Sequence, residues 1–388
     1  MTSLTNIRGT VASDHLDLAR GLAAVAVLWT HARVLLFSSL DHVQHTGLPV
    51  KMVYFSSRFG HQAVIIFFVL SGFFIGSSVL RDFNSRRFSW TGYLTARSVR
   101  LYLVLIPGLL LTTLIDRASC RLASDDVSPS PDTSVAIIDY DKIEERSTPA
   151  TLLGNALFLQ EVLVPAYGSN TALWSLSYEF WYYLLFPAIT ICIATAGWPR
   201  VAYAVAVAVI FWFVGVEIAA YFAIWMLGVG VALAKPIQWL SPRRASYVSA
   251  MLIAMVGLFM AAMKVRPLGS EFIRDLITGL GVASIVFAIL HCNQPTRAKS
   301  YSNAAAMLAG FSFTLYVIHL PILILCRSLW TNENPWQPDA THLMWAASIM
   351  LGIMGFAFCL AWVTERNTNE VRSVVTQLFH RIHKPANG

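Results

Sequence analysis

The chain consists of long apolar runs separated by short polar connections. An α-helix needs about 20 consecutive apolar residues to cross a hydrocarbon core of about 30 Å. About ten runs approach that length, and they cover residues 15–37, 60–80, 97–116, 174–196, 201–216, 218–234, 245–263, 272–291, 305–329 and 342–363. The pattern predicts an all-α, polytopic bundle of about ten membrane helices, forming a single domain over residues 1–388.

Two of the runs and one shorter apolar piece add detail to this prediction. The runs at 201–216 and 218–234 are short and adjacent, so we expect them to form a tight hairpin. The piece at 150–164 is too short to span comfortably, which leaves a re-entrant or an interfacial segment. No small-residue cleavage site follows the first run, so we interpret it as a retained helix and not a signal peptide.

The composition agrees with a membrane protein. Of 388 residues, 56% are hydrophobic and 13% are charged, and the mean hydropathy is +0.59. So few charges could not cover a soluble domain of this size. The net charge of +7 would suggest a nucleic-acid partner in a soluble protein, but here the cations lie between the apolar runs and we expect none. The five cysteines are scattered without metal-ligand spacing, and we expect no metal.

The distribution of charge predicts the orientation of the bundle. With ten spans both termini lie on one side, and the connections on that side carry most of the cations: Arg81, Arg86, Arg87, Arg97, Arg200, Lys235, Arg243, Arg244, Arg297 and Lys299. The opposite loop, 117–149, carries Asp125, Asp126, Asp132, Asp139, Asp141, Glu144 and Glu145. The positive-inside rule therefore predicts cytoplasmic termini, an extracytoplasmic loop at 117–149 and a basic cytoplasmic tail at 365–388.

The stretch RGLAAVAVLWTH places Arg20 and His31 on the first span with ten uncharged residues between them. Eleven positions are very close to three helical turns, so the two side chains share a face and lie about 16 Å apart along the helix axis. Intramembrane ionisable groups usually face a bundle interior or a water-filled cavity. The spacing suits a ligand with an anionic head at the cytoplasmic mouth and a long arm, which is the shape of acyl-coenzyme A. Asp17 precedes Arg20 by three residues and can pair with it.

Two further groups of residues extend this prediction. Arg97 and Arg100 share a helix face at the start of the third span, where they suit phosphate oxygens or act as ordinary positive flanks. Glu179 lies about 7 Å inside Trp174. In FTLYVIHLP, Tyr316 and His319 share a face, with His319 about 20 Å from the start of its span. We therefore expect His31, Glu179 and His319 at a similar depth.

Ser71 and His61 are weaker candidates. Ser71 and Gly72 lie near mid-membrane, where small residues also allow helices to approach closely. His61 lies near the outer end of the second span, where it either touches an acceptor or has no task. A neutral histidine can take a proton from an alcohol that attacks a thioester, and a carboxylate can orient that histidine or hold a hydroxyl.

Together these segments resemble the acyltransferase-3 family, bacterial multi-span acyltransferases that modify exported glycans, lipids and some small molecules. The resemblance rests on the segments HLDLARGLAAVAVLWTHA, GHQAVIIFFVLSGFFI, RSVRLYLVLIPG, ALWSLSYEFWYYLLFP, FSFTLYVIHLP and VTERN. The family's arginine–ten–histidine spacing matches Arg20 and His31, and its RxxR element matches Arg97 and Arg100. Its WSLxxE element begins at Trp174 and ends at Glu179.

The resemblance implies an acyl group, usually acetyl, passed from cytoplasmic acyl-CoA to an acceptor at or beyond the outer leaflet of the bacterial inner membrane. It implies His31 as general base or transient acyl carrier. Arg20, Arg97 and Arg100 would serve the donor, and Glu179 would assist at the acceptor side. Many members have two adjacent carboxylates in the last motif, where this chain has only one. Some members carry an extracytoplasmic hydrolase-like domain after the membrane spans. This sequence shows only a short tail after its tenth span, so we expect the protein to act alone or with a separate partner.

The leading hypothesis is thus a membrane O-acyltransferase that uses acetyl-CoA to acetylate a sugar of an exported or lipid-linked saccharide, as in polysaccharide modification. One alternative changes the acceptor to a small molecule or a lipid. Another is a transporter of glycan intermediates, which predicts duplicated halves with broken helices; the sequence shows no such duplication. The acidic loop at 117–149 disfavours a polyanionic acceptor approaching it.

Overall fold

A computed structural model describes residues 7, 9–122, 140–267, 269–331 and 335–382. These residues form fourteen α-helices joined by short loops and 3₁₀ turns. The helices are α1 (Val11–Leu36), α2 (Leu48–Ser56), α3 (Gly60–Asn84), α4 (Trp90–Leu122), α5 (Tyr140–Arg146), α6 (Pro149–Ala156), α7 (Trp174–Ala194), α8 (Trp198–Leu233), α9 (Pro242–Val265), α10 (Glu271–Ile289), α11 (Lys299–Ala309), α12 (Ser312–Trp330), α13 (Ala340–Val363) and α14 (Thr368–Ile382). The all-α class is confirmed.

Within the described residues, nine helices are long and apolar enough to cross a membrane, counting α8 once. Gly215 interrupts α8 with non-helical angles of φ 81° and ψ 174°. The rings of Phe211 and Phe222 lie only 5.8 Å apart, whereas a straight helix would separate residues at this spacing by about 16 Å. The chain therefore folds back at Gly215, as the hairpin prediction requires, and the two halves of α8 account for the tenth run. The cytoplasmic orientation of the termini stays a prediction.

The connections differ from the sequence prediction in part. The segment 117–149 is not all loop, because α4 continues to Leu122 and α5 occupies its far end. Four of its acidic residues, Asp125, Asp126, Asp132 and Asp139, lie outside the described residues. In the segment 150–164 the helix α6 ends at Ala156, and Phe158 and Glu161 have left-handed backbone angles. This segment does not span, as expected.

Close backbone contact between α3 and α8 builds the centre of the bundle. A Cβ added at Gly72 would lie 2.0 Å from the carbonyl oxygen of Trp225, and one added at Gly228 would lie 2.0 Å from that of Val69. No side chain fits at either position, so the two glycines let the helices approach to backbone distance. The interpretation that Gly72 allows two helices to approach closely is therefore confirmed.

The loop between α6 and α7 is tied to the bundle by buried polar groups. Pro321 lacks an N–H group and therefore leaves the carbonyl of Val317 without its helical donor. Asn170 Nδ2 donates to that carbonyl at 2.8 Å. The carboxylate of Asp116 on α4 accepts from the backbone N–H of Ser169 at 2.9 Å. These bonds hold the start of α7, with its WSL motif, against α4 and α12.

Candidate active site

Two histidines from different spans meet inside the bundle. His31 on α1 and His319 on α12 lie with Nδ1 and Nε2 2.8 Å apart, and their rings stack at 5.0 Å with 26° between the planes. His319 is fully buried, whereas His31 is partly exposed. The predicted convergence of these two histidines is confirmed as a direct hydrogen bond.

The surroundings of His319 determine which nitrogen of His31 is free. His319 Nδ1 lies 2.8 Å from the carbonyl oxygen of Tyr316 and 3.2 Å from that of Leu315. Carbonyl oxygens only accept hydrogen bonds, so this nitrogen carries the proton. With both rings neutral, His319 Nε2 is an acceptor and His31 Nδ1 donates to it. His31 Nε2 is left with a lone pair, the form required of a general base or a nucleophile.

A cavity lies next to the histidine pair, on the other side of Tyr316. Helices α1, α3, α4, α7 and α12 contribute to its lining. Most of the lining is aliphatic or aromatic, and its polar members are Arg20, Ser71, Arg100, Ser175, Glu179, Tyr183, Ser312 and Tyr316. The Tyr316 ring lies 6.0 Å from that of His319, so the pair lies next to the Tyr316 wall, although His31 itself is not part of the lining. The cavity thus extends from two arginines to a tyrosine that contacts the histidine pair.

Arg20 is held in place but is not saturated. It donates to Asp17 at 3.3 Å, which confirms the predicted i, i+3 pair, and makes a 3.4 Å contact to the carbonyl oxygen of Ala309. Its Nε–H is buried and has no partner among the described residues. A buried guanidinium donor without an acceptor is costly, and an anion in the cavity would satisfy it.

The other two predicted arginines occupy different environments. Arg100 lines the cavity with Arg20. Arg97 lies outside the lining, with its guanidinium 5.6 Å from the centre of the Tyr93 ring. Its buried Nε–H also lacks a partner in the part of the chain that the structure describes. Glu365, in the VTERN segment, is close enough to Arg20 and Arg100 to interact with their charges. We define the arginine end of the bundle by Arg20 and Arg100.

Glu179 lies on the cavity wall and not beside the histidines. It accepts a hydrogen bond of 2.8 Å from Ser71 Oγ and a short one from the Tyr183 hydroxyl. Trp225 Nε1 donates to Ser71 Oγ at 3.2 Å. Among the described residues neither histidine bonds to Glu179, so no contact supports the expectation that it orients a histidine. The sequence analysis did not identify Tyr183, although its i, i+4 spacing from Glu179 indicates that the two side chains are neighbours on the helix.

The WSL motif and Tyr316 connect α7 with α12. The Tyr316 hydroxyl donates to the carbonyl of Ala172 at 2.9 Å and lies 2.7 Å from Ser175 Oγ. Since the tyrosine proton is used on the carbonyl, Ser175 donates to the tyrosine oxygen. Trp174 itself packs beside His61, with ring centres 6.2 Å apart and planes 14° apart.

His61 has a partner that the sequence analysis missed. Its Nε2 lies 2.7 Å from Asp275 Oδ2, and the Tyr221 hydroxyl donates to the same oxygen at 2.7 Å. Asp275 is buried and belongs to the run 272–291, where an intramembrane acid was a readable signal. Glu271 joins this group, with ligand atoms within 4.8 Å of one another. The direct 2.7 Å contact leaves no room for a cation between the two atoms, and the absence of a metal stays a prediction.

The fold and this site define a multi-pass membrane protein with a pair of hydrogen-bonded histidines next to a cavity that two arginines help to line. A family model described as an acyltransferase domain, acyltransferase-3, matches residues 14–364. The chain belongs to this family and is an acyltransferase. Comparisons with curated proteins and with solved structures found no match.

Proposed function

We propose that this protein is a membrane O-acyltransferase that moves an acetyl group from acetyl-CoA to a sugar hydroxyl of an exported or lipid-linked saccharide. Family membership supports acyl transfer. The observation that carries the proposed chemistry and donor site is the histidine pair, with a lone pair on His31 Nε2, next to a cavity that reaches Arg20 and Arg100. The acetyl group and the sugar acceptor rest on what the family resemblance implies.

In this proposal the donor occupies the cavity. The phosphates of coenzyme A pair with the guanidinium groups of Arg20 and Arg100, whose forks match phosphate oxygens, and Arg97 adds charge nearby. The apolar lining accommodates the pantetheine arm. The thioester then lies toward Tyr316 and the histidine pair. The positive charge at this end also supports a cytoplasmic entrance, and we propose the bacterial inner membrane as the location because the family resemblance implies it.

The chemistry follows from the free nitrogen. His31 Nε2 takes the proton of the acceptor hydroxyl as its oxygen attacks the thioester carbonyl carbon. The tetrahedral intermediate collapses by breaking the C–S bond, and the coenzyme A sulfur leaves as a thiol with the proton from His31. During this step His31 is cationic, and the bond from its Nδ1–H to His319 stabilises it. If His31 acts as acyl carrier, the same Nε2 attacks the thioester first.

The remaining site residues take supporting roles. We assign Glu179, held by Ser71 and Tyr183, to the donor side as a counter-charge to the arginines, because it shares their cavity. Trp174 and His61, at the other end of the bundle, are assigned to the acceptor side.

The test uses membranes that carry the wild-type protein, His31→Ala or the control His45→Ala, which changes an exposed loop histidine. Each is incubated with labelled acetyl-CoA and a total glycan and lipid extract. We expect label to enter a glycan or glycolipid with the wild type and the control but not with His31→Ala. Transfer by His31→Ala at the wild-type rate contradicts the proposal. Absence of both transfer and acetyl-CoA binding in the wild type favours the transporter alternative.

A further inference from the structure

A second groove, separate from the active-site cavity, runs along α9. Helices α1, α3, α9 and α10 line it. Its lining on α9 extends from Ser246 to Met260, about 21 Å along the helix axis. That is most of the about 30 Å depth of a hydrocarbon core. The lining is mainly leucine, isoleucine, valine, alanine and methionine, so the groove suits a hydrocarbon chain.

A basic pocket continues this groove at the end of the bundle opposite the arginine end. The groove and the pocket share the lining residues Gln62, Met260 and Thr278. The pocket adds three cations, Arg58, Lys264 and Arg274. An apolar channel thus ends in a concentration of positive charge.

The charge in the basic pocket is only partly balanced. Arg58, Lys264 and Arg274 line the same pocket, so their like charges repel one another. Among the described residues, no carboxylate lies within 4.0 Å of these three cationic groups. Glu271 and Asp275 act on Lys264 from farther away. Repelling cations that converge without a bonded carboxylate favour an anionic ligand.

Two further observations indicate that the cations of the basic pocket bind a ligand and do not serve to orient the protein in the membrane. The positive-inside rule gives no reason for cations here, because this end is the one predicted to be extracytoplasmic. In addition, the side-chain amide of Gln62, on the wall shared by groove and pocket, has a buried oxygen without a partner in the described part of the chain. An amide oxygen only accepts hydrogen bonds, so a hydroxyl group of a ligand at the junction would satisfy it.

We propose that the groove and the basic pocket form one binding site for a lipid phosphate. The hydrocarbon chain lies along α9, and the phosphate is held by Arg58, Lys264 and Arg274 through charge-assisted hydrogen bonds. The inference deepens the proposed function and rests on it in one respect: the bound lipid carries the acceptor sugar. Gln62 adjoins His61 and Arg274 adjoins Asp275 in the chain, so a sugar on this phosphate starts beside the His61–Asp275 pair.

The binding test uses the purified full-length protein and native mass spectrometry with three probes: a long-chain polyprenyl phosphate, the matching polyprenol and phosphatidylcholine. We expect the protein to retain the polyprenyl phosphate and neither of the other two probes. Combining Arg58→Gln, Lys264→Gln and Arg274→Gln should weaken it at least about tenfold, whereas Arg243→Gln, at the other end of α9, should not. Equal retention of phosphate and polyprenol, or no loss in the triple variant, overturns the proposal.

A second variant tests the groove independently of its charge. Gly257 lines the groove and has no atom within 4 Å of an added Cβ. Gly257→Leu should fill the groove and weaken lipid phosphate binding, while Gly352→Leu, at an open position on α13, should leave it unchanged. Unchanged binding in Gly257→Leu shows that the chain lies elsewhere and overturns the proposal.

Acetyl transfer then tests the role of the lipid separately. If the triple variant loses transfer to a lipid-linked saccharide but keeps acetyl-CoA binding, the lipid carries the acceptor. If it transfers to that acceptor at the wild-type rate, the acceptor part of the inference is wrong while the proposed function stands. If the wild type binds lipid phosphate and transfers no acyl group to any acceptor, the proposed function fails and the lipid site stands.

Discussion

The histidine pair gives the sharpest test of the mechanism, through two substitutions at His319. His319→Leu removes the acceptor that fixes the proton on His31 Nδ1, while it keeps a buried apolar side chain of similar reach. His319→Gln keeps an acceptor, because its Oε1 takes the place of the imidazole Nε2 that lies 2.8 Å from His31. The two variants therefore differ in the hydrogen bond more than in packing.

The expected magnitude follows from the cost of leaving His31 Nδ1–H without a partner. An unsatisfied buried donor costs about 1–3 kcal/mol, and about 1.36 kcal/mol corresponds to a tenfold change in rate. We therefore expect His319→Leu to lower kcat by about 5- to 150-fold. The KM for acetyl-CoA should stay near the wild-type value, because His319 does not contact Arg20 or Arg100, the arginines that we propose bind the donor. His319→Gln should recover most of the rate.

The assay is steady-state acetyl transfer by purified protein in detergent or nanodiscs, with thermal unfolding measured on the same samples. If His319→Leu lowers kcat without changing Tm, and His319→Gln recovers the kcat, then His319 positions His31 and does not merely support the fold. The reasoning is refuted if the leucine variant keeps the wild-type kcat. It is also refuted if the glutamine variant folds normally and is as slow as the leucine variant.

Three further predictions concern the cavity and the helix contacts. Arg100→Ala should raise the KM for acetyl-CoA by about tenfold or more, since a hydrogen bond to a charged group contributes about 1.5–3 kcal/mol. Arg81→Ala, outside the cavity, is the control. Equal KM values for the two variants would show that Arg100 does not bind the donor. Gly72→Ala should lower the free energy of unfolding by about 1–3 kcal/mol, because its Cβ would lie 2.0 Å from a carbonyl oxygen of α8. Gly352→Ala should leave the free energy of unfolding unchanged. Equal Tm values for the two variants would contradict the close contact between α3 and α8. Glu179→Gln should bind acetyl-CoA more tightly than wild type without losing kcat.

Much of the fold was predictable because the bilayer imposes a simple rule on sequence. Spans must be long and apolar, and residues 201–234 are too many for one span, so a turn between two short spans was predictable near Gly215. The i, i+3 pair of Asp17 and Arg20 was predictable too, since one helix fixes its geometry. The meeting of His31 and His319 was predictable in part, because both lie well inside their spans and were expected at a similar depth, but depth alone does not decide which side chains touch.

Contacts that depend on the rotation of helices about their axes were not predictable. Depth placed Glu179 near the histidines, but the rotation of α7 directs its carboxylate to Ser71 and Tyr183 instead. The partner of His61 is 214 residues away on α10, and no spacing encodes that distance. Such pairs are determined by which helices are neighbours, and this depends on packing across the whole bundle.

The role of Glu179 can be decided by removing its charge while keeping its shape. A glutamine at this position still accepts from Ser71 and Tyr183 through its carbonyl oxygen, so the wall should hold its form. If Glu179 is a counter-charge to Arg20 and Arg100, its negative charge opposes the donor phosphates, and Glu179→Gln should lower the Kd for acetyl-CoA while kcat is unchanged. If it takes part in proton transfer, kcat should fall and its pH dependence should change. Isothermal titration of acetyl-CoA, paired with kcat measured across pH, separates the two outcomes, and a fall in kcat at unchanged Kd would return Glu179 to the acceptor side.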